Sequence, residues 1–462
     1  MNKQDLTLLT DLYELTMMQG YYKKGQHETV VFDVFYRHNP CGNGYSVCAG
    51  LDQVIDYIKN LNFTYEDVDY LRSLHIFDDD FLQYLSGFHF TGDIYAIPEG
   101  SVVFPKEPLL KVIAPIMEAQ LVETTILNLI NHQSLIATKT SRVVYAADGD
   151  GIMEFGLRRA QGPDAGLYGA RAAIIGGCVG TSNVLAGQLF DVPVMGTHAH
   201  SWIMTFPDEY TAFKYYAELY PDNCTLLVDT YDTLKSGVPN AIRVFQEFKD
   251  AGKPLKKYGI RLDSGDLAYL SKRARKMLDE AGFPDASICA SNDLDEYLLH
   301  DLKAQGAAIN SWGVGTHLIT SKDCPSFGGV YKLSAIKNEN GEFIPKIKIS
   351  ENTEKITNPG NKTIYRIYEK ETGKIKADLI CFADETLTKV RIFFSLTRWR
   401  HGRKQSLQAA LIPCVKCLFR SSKTENVFTL PLLSRRLQNI VNRKKTPCGT
   451  RQNVSSIHTG FM

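Results

Sequence analysis

The chain runs to 462 residues, 44% hydrophobic and 22% charged, with 52 Lys and Arg against 51 Asp and Glu. That length allows two domains around a sizeable core, and no run approaches the roughly 20 apolar residues that a membrane span needs. The opening MNKQDLTLLT has no basic start leading into an apolar run, and the ten cysteines keep no metal-like or disulfide-like rhythm. The protein is therefore expected in the cytosol with no membrane partner.

In chain order, VVFDVFYR and DIYAIPEGSVVF have strand character. Lys111 to Ala137 is strongly apolar and reads as a buried helix packing on the segment C-terminal to it. From about 150 to 318, short apolar runs alternate with helical patterns. IMEF, VPVMG, CTLLVDT, KYGIRLD, ASICAS and INSWGVG are the runs, and TSNVLAGQL, PNAIRVFQEFKDAG, LAYLSKRARKMLDEAG and DEYLLHDLKAQG the helices. A strand–helix rhythm of about thirty residues argues for an irregular parallel α/β barrel. KLSAIKNENGEFIPKIKIS then resembles a hairpin around Asn340-Gly341. The expected division is 1–115 with 319–385 as an α/β sandwich domain built from both chain ends, 116–318 as the barrel, and 386–462 as a basic tail. Fourteen of the 52 basic residues but only one of the 51 acids (Glu425) fall in 390–462, so 1–389 carries a net −12. Taken alone, that asymmetry is a nucleic-acid signature.

The residues after the strands carry the chemistry. Arg158 and Arg159 follow the first, Thr197, His198 and His200 the next, then Asp229 and Asp232. Arg261, Asp263, Ser264 and Asp266 follow the fourth, Asn292 and Asp293 the fifth, and Gly313, Gly315 and Thr316 the last. Strand ends of a barrel converge on its catalytic face. Each has a plain structural reading as well. Asp232 or Ser264 caps a helix, the glycines serve a turn, the arginines lie on the surface, and one of the two histidines packs inside. A zinc site lacks third and fourth ligands at the usual spacing. Together, arginines and glycine-exposed N–H groups suit phosphates, clustered Asp suits Mg²⁺ on a pyrophosphate or charge on a ribose, and a histidine suits proton or phosphate transfer. The residues by themselves reach an enzyme acting on a sugar phosphate.

Over about 5–385 the chain resembles nicotinate phosphoribosyltransferase, through LLTDLYELTM, FDVFYRHNPCGNGYSVCAGL, EFGLRRAQGPD, TSNVLAGQL, GTHAHSW, VDTYDT, GIRLDSGDL, SND and GVGTHL. The resemblance implies a type II phosphoribosyltransferase fold, usually dimeric, that joins nicotinate to phosphoribosyl pyrophosphate (PRPP) with ATP hydrolysed through a phosphohistidine. The second histidine of GTHAHSW, His200, would be phosphorylated. Tyr13 and Thr197 would hold nicotinate, Arg261 and Asp229 would be the active-site arginine and essential acid, and Gly313 and Gly315 would cradle a PRPP phosphate. Arg158, Arg159, Ser201, Asp263, Asn292 and Thr316 join the expected substrate-binding set. Mg²⁺ arrives with PRPP and ATP, near Asp263 and Asp266, and no prosthetic group is expected. The alternatives are a nicotinamide or quinolinate enzyme of the same type, or a catalytically impaired product.

Beyond about 386 the resemblance stops. Regrouping codons by one base, the run from Thr397 permits D-P-L-(E or A)-T-W-K, and that from Lys445 permits N-T-L-W-D-E. Both match the family's C-terminal pattern, so the tail is expected to be a shifted reading frame entered between about 386 and 394. Its basic charge is then accidental, and no nucleic-acid partner is expected.

Overall fold

The computed structural model describes residues 5–369, 372–385, 407–411 and 415–418. Its contacts divide these residues into two units, Leu135–Pro325 and the flanking chain up to Ser134 and from Ser326. The chain passes between them inside the helix Glu123–Ala146.

Leu135–Pro325 is built on a six-stranded sheet curled into a half-barrel. The order is Gly180–Thr181, Gly151–Glu154, Ser311–Val314, Ser287–Ala290, Tyr258–Leu262 and Cys224–Leu227. Every pairing is parallel, which requires a crossover after each strand. Ile152, Ile260, Ile288 and Val314 of these strands are buried. The crossover helices present apolar stripes at the helical period. Leu267, Ala268, Ser271, Ala274 and Leu278 line the buried face of Leu267–Glu280, and Val238, Ala241, Val244 and Phe245 that of Val238–Asp250. The expected strand VPVMG needs correcting. It supplies only a single bridge, Val194 to Thr181, because Pro193 has no N–H to extend a ladder. The pairing there belongs to the two-residue strand Gly180–Thr181, whose Thr181 N–H donates to the Pro193 carbonyl at 3.0 Å.

The other unit carries an antiparallel sheet in the order Phe343–Pro345, Gly329–Lys337, Thr29–Tyr36, Leu110–Pro115, Asp93–Ala96 and Val415–Leu418. The expected hairpin forms, with Asn338 N–H donating to the Glu342 carbonyl at 2.8 Å. The apolar run from Lys111 is a second correction, since it is not helical throughout. Leu110–Pro115 is a strand, and the helices Ile116–Leu121 and Glu123–Ala146 come after it. KVIAP places β-branched residues beside Thr29–Tyr36, and Pro115 ends the strand. A second sheet pairs Ile375–Phe382, Lys362–Glu369 and Leu407–Leu411. In it Arg366 donates to buried Asp378 at 2.5 and 2.9 Å. Burial and the neighbouring Asp378 hold the Glu107 carboxyl well above the usual carboxylate range. Apart from the backbones of 407–411 and 415–418, the expected tail lies outside the described residues.

Candidate active site

The parallel sheet ends in a cluster centred on Arg261, the fourth residue of Tyr258–Leu262. Its guanidinium donates three ways: Nε to Ser291 Oγ at 2.8 Å, Nη1 to Thr197 Oγ1 at 2.8 Å, and Nη2 to Asp263 Oδ1 at 2.9 Å. Ser291 Oγ in turn donates to Asp263. The Phe155 ring centroid lies 5.8 Å from the guanidinium carbon, within cation–π range. With each nitrogen tied once, the plane of the guanidinium is fixed, and two of its five N–H groups remain for a ligand.

The two histidines of GTHAHSW part company. His198 is buried, with Nε2 accepting from Leu227 N–H at 3.2 Å and Nδ1 facing the Ala199 carbonyl at 3.4 Å. Its ring meets Tyr216 edge-on at 4.6 Å. Burial pushes its pKa down to about 4, so it is the packing histidine. His200 begins the helix His200–Met204 with a side chain 40% exposed. Its Nδ1 lies 3.2 Å from Thr230 Oγ1, and its Nε2 lies 3.7 Å from Asp263 Oδ2, too far for a direct hydrogen bond. Asp229 Oδ2 accepts from Asp263 N–H at 2.9 Å and from Ser264 Oγ at 2.6 Å. Among the described residues its buried Oδ1 has no hydrogen-bond partner.

The first and last strands bring two loops together. Phe155 N–H donates to the Val314 carbonyl at 2.8 Å. A Cβ on Gly313 would stand 2.5 Å from the Phe155 ring, and one on Gly156 would collide with the Ile319 side chain. Only glycine admits these contacts. Arg158 and Arg159 lie exposed on the 3₁₀ turn Leu157–Arg159 beside this junction, and Gly315 and Thr316 are partly exposed at its other side.

Other expected residues fall differently. Asp263 and Asp266, placed together near magnesium by the sequence, do different work. Asp263 is engaged by Arg261 and Ser291, while Asp266 caps Leu267–Glu280 by accepting from Tyr269 N–H at 2.9 Å. Asp232 is likewise a cap. Ser201, Asn292 and Asp293 are exposed, Asn292 with φ +112°. Tyr13 belongs to the other unit, on the helix Leu12–Lys24, where burial and the acids Glu123 and Glu14 raise its phenol pKa. Among the described residues no group of three or more His, Cys, Asp or Glu is arranged to hold a metal ion, and no helix is long and apolar enough to cross a membrane. Sequence reasoning missed Ser291, Thr230 and Phe155. All three lie inside the strings SND, VDTYDT and EFGLRRAQGPD or directly beside them, but a hydroxyl or ring has no spacing signal of its own.

Comparison with known proteins places this geometry. Residues 8–131 match the nicotinate phosphoribosyltransferase N-terminal domain, and residues 151–374 match the nicotinate phosphoribosyltransferase family. The nicotinate phosphoribosyltransferase of Bacillus subtilis (strain 168) is 52% identical over 392 residues, covering 84% of this chain and 79% of its own. That of Homo sapiens is 34% identical over 436 residues, covering 82% and 80%. The crystal structure of the human nicotinic acid phosphoribosyltransferase superposes with a TM-score of 0.76 at 29% identity, covering 95% of this chain and 94% of that one.

Proposed function

This chain belongs to the nicotinate phosphoribosyltransferase family, and from that premise we propose how its site works. The enzyme is a nicotinate phosphoribosyltransferase of NAD biosynthesis. The observation that carries the reading is the Arg261 fork, fixed by Thr197, Ser291 and Asp263 with the Phe155 ring centroid 5.8 Å away. A fixed guanidinium beside an aromatic ring suits a flat aromatic carboxylate, with a bidentate pair to the carboxylate and a stack for the ring. Quinolinate carries a second carboxylate and needs further cations there.

In the glycosyl step the pyridine nitrogen attacks the ribose anomeric carbon, a C–N bond forms, and the bond to pyrophosphate breaks. Arg158, Arg159 and the Gly313–Thr316 loop hold the phosphates of PRPP, and Mg²⁺ brought in on PRPP would supply further neutralising charge for the departing pyrophosphate. The unpartnered Oδ1 of Asp229 offsets positive charge developing on the ribose. ATP enters through His200. With Nδ1 donating to Thr230, the Nε2 lone pair attacks the γ-phosphorus, a P–N bond forms, and ADP leaves. Water later cleaves that bond and releases inorganic phosphate, which drives product formation. The enzyme works as a homodimer, and the cytosol is its compartment. The direct test is transfer of label from γ-labelled ATP to the purified protein. Labelling is expected with the native chain and lost in His200→Asn, and equal labelling of both overturns the carrier assignment.

A further inference from the structure

We propose that Glu154 is a positioning residue, and that its buried bridge from Gly156 to Thr181 sets the Phe155–Arg159 turn in the geometry that receives the phosphates of PRPP. The inference rests on the phosphate-binding role of that turn given under the proposed function, and it adds two residues that touch no substrate.

Glu154 ends the strand Gly151–Glu154 and is 0% exposed. Burying a carboxyl is costly unless its oxygens are satisfied, and both are. Oε1 accepts from the Gly156 N–H, two residues on in its own turn, and Oε2 accepts from Thr181 Oγ1 at 2.6 Å. Thr181 sits on the neighbouring strand, where its Oγ1 accepts from Asn183 N–H at 3.0 Å. The Asn183 side chain completes the chain by donating to the Gly166 carbonyl at 3.2 Å and accepting from Ala186 N–H at 3.1 Å. One hydrogen-bonded line thus runs from the turn that carries Arg158 and Arg159 to the start of the helix Val184–Phe190. Burial raises the Glu154 pKa, and the Thr181 and Gly156 bonds pull it back.

What the carboxyl anchors is a closely packed junction. Gly156 has the Ile319 side chain against its α-carbon, and Ile319 ends the short helix that comes after Gly313–Gly315. Phe155, next to it, is bonded to Val314 and packed on Gly313. A peptide plane that rotates at Gly156 would therefore disturb both phosphate-facing loops. A packing role alone would be filled more cheaply by an apolar side chain, since among the described residues the bonds to Glu154 come from a backbone N–H and a hydroxyl, with no cation to offset its desolvation.

The test uses the full chain, with Michaelis constants for PRPP and for nicotinate measured separately. Thr181→Val removes the donor while keeping shape, and is expected to raise the PRPP constant about tenfold. Its turnover number should stay within about twofold of native, and its nicotinate constant should rise less than the PRPP constant, since Phe155 borders the same turn. Thr181→Ser restores the hydroxyl and is expected to bring the PRPP constant back. Glu154→Gln still accepts from Gly156 but presents a donor to Thr181. It is expected to raise the PRPP constant by itself and to make a further Thr181→Val change nearly silent. If Thr181→Val yields no folded protein, Glu154→Gln against native decides by the same split. Lowered thermal stability with an unchanged PRPP constant in these variants overturns the proposal and leaves Glu154 a structural acid. Absence of any nicotinate- and PRPP-dependent turnover in the native chain would instead overturn the proposed function.

Discussion

Arg261→Lys isolates the geometry of the site from its charge. The guanidinium holds three acceptors in three directions, Ser291, Thr197 and Asp263, at 2.8 to 2.9 Å. An ammonium on a flexible stem keeps the charge but reaches about one of them, forfeiting two hydrogen bonds of about 1 kcal/mol each. It also replaces a bidentate pair to the substrate carboxylate by a single contact, a loss of about 1.5 to 3 kcal/mol. The protein-side bonds affect catalysis only through orientation, so about 3 kcal/mol is the share expected in kcat/KM for nicotinate, a factor of about 100. Initial rates across a nicotinate titration at saturating PRPP and ATP measure it, with circular dichroism confirming the fold. The KM for nicotinate should rise while that for PRPP moves little. An Arg261→Lys enzyme within about threefold of native kcat/KM would refute the fixed-fork argument.

Other perturbations test the surroundings. The folded protein holds His198 at about 4 against 6.5 for the free group, so the unfolded chain takes the proton first as pH falls. Stability is then lost between about 6.5 and about 4, by about 3 kcal/mol in all; urea titrations should show that slope in native protein and its absence in His198→Gln. Glu107 is shifted the other way by burial and Asp378, so the stability of its protonated form is present at low pH and lost as pH rises through the folded value. Glu107→Gln, which needs no proton, should unfold at higher urea than native above neutral pH. Gly313→Ala drives a methyl to 2.5 Å from the Phe155 ring and should cost about 1 to 3 kcal/mol with a matching fall in activity. Gly20→Ala, with nothing within 4 Å in the helix Leu12–Lys24, should gain up to about 1 kcal/mol. Sequencing the gene from codon 386 onward tests the shifted frame. Codons from 397 onward that spell D-P-L and L-W-D-E in order in the neighbouring frame are expected, and codons that forbid those strings there would refute it.

Elements with a period were legible in the sequence. Four of the helices and most of the parallel strands declared themselves because burial repeats every 3.6 or every residue along them, whereas the helices Pro163–Gly176 and Glu209–Leu219 were not read from the sequence. The strand Gly180–Thr181 was not legible, since two residues carry no period, and VPVMG looked like a strand because Pro193 is apolar. The apolar run from Lys111 concealed a strand and two helices for the same reason: a buried strand and a buried helix are equally hydrophobic. At the site, the charged residues after the strands pointed to one end of the parallel sheet, and the reading that one histidine would pack was resolved as His198. The partners that aim Arg261 and His200, namely Ser291, Phe155 and Thr230, come from other strands and loops, and Glu154, local to the Arg158 turn, takes its Thr181 partner from the neighbouring strand. Only tertiary structure brings them to Arg261, His200 and the Arg158 turn.

The most direct measurement is formation of nicotinate mononucleotide by the purified 462-residue chain from nicotinate, PRPP and Mg²⁺, with and without ATP. Product that requires nicotinate and PRPP and rises with ATP is the predicted result. No product from this chain, nor from one with the reading frame restored, would contradict the assignment of this site to nicotinate phosphoribosyl transfer.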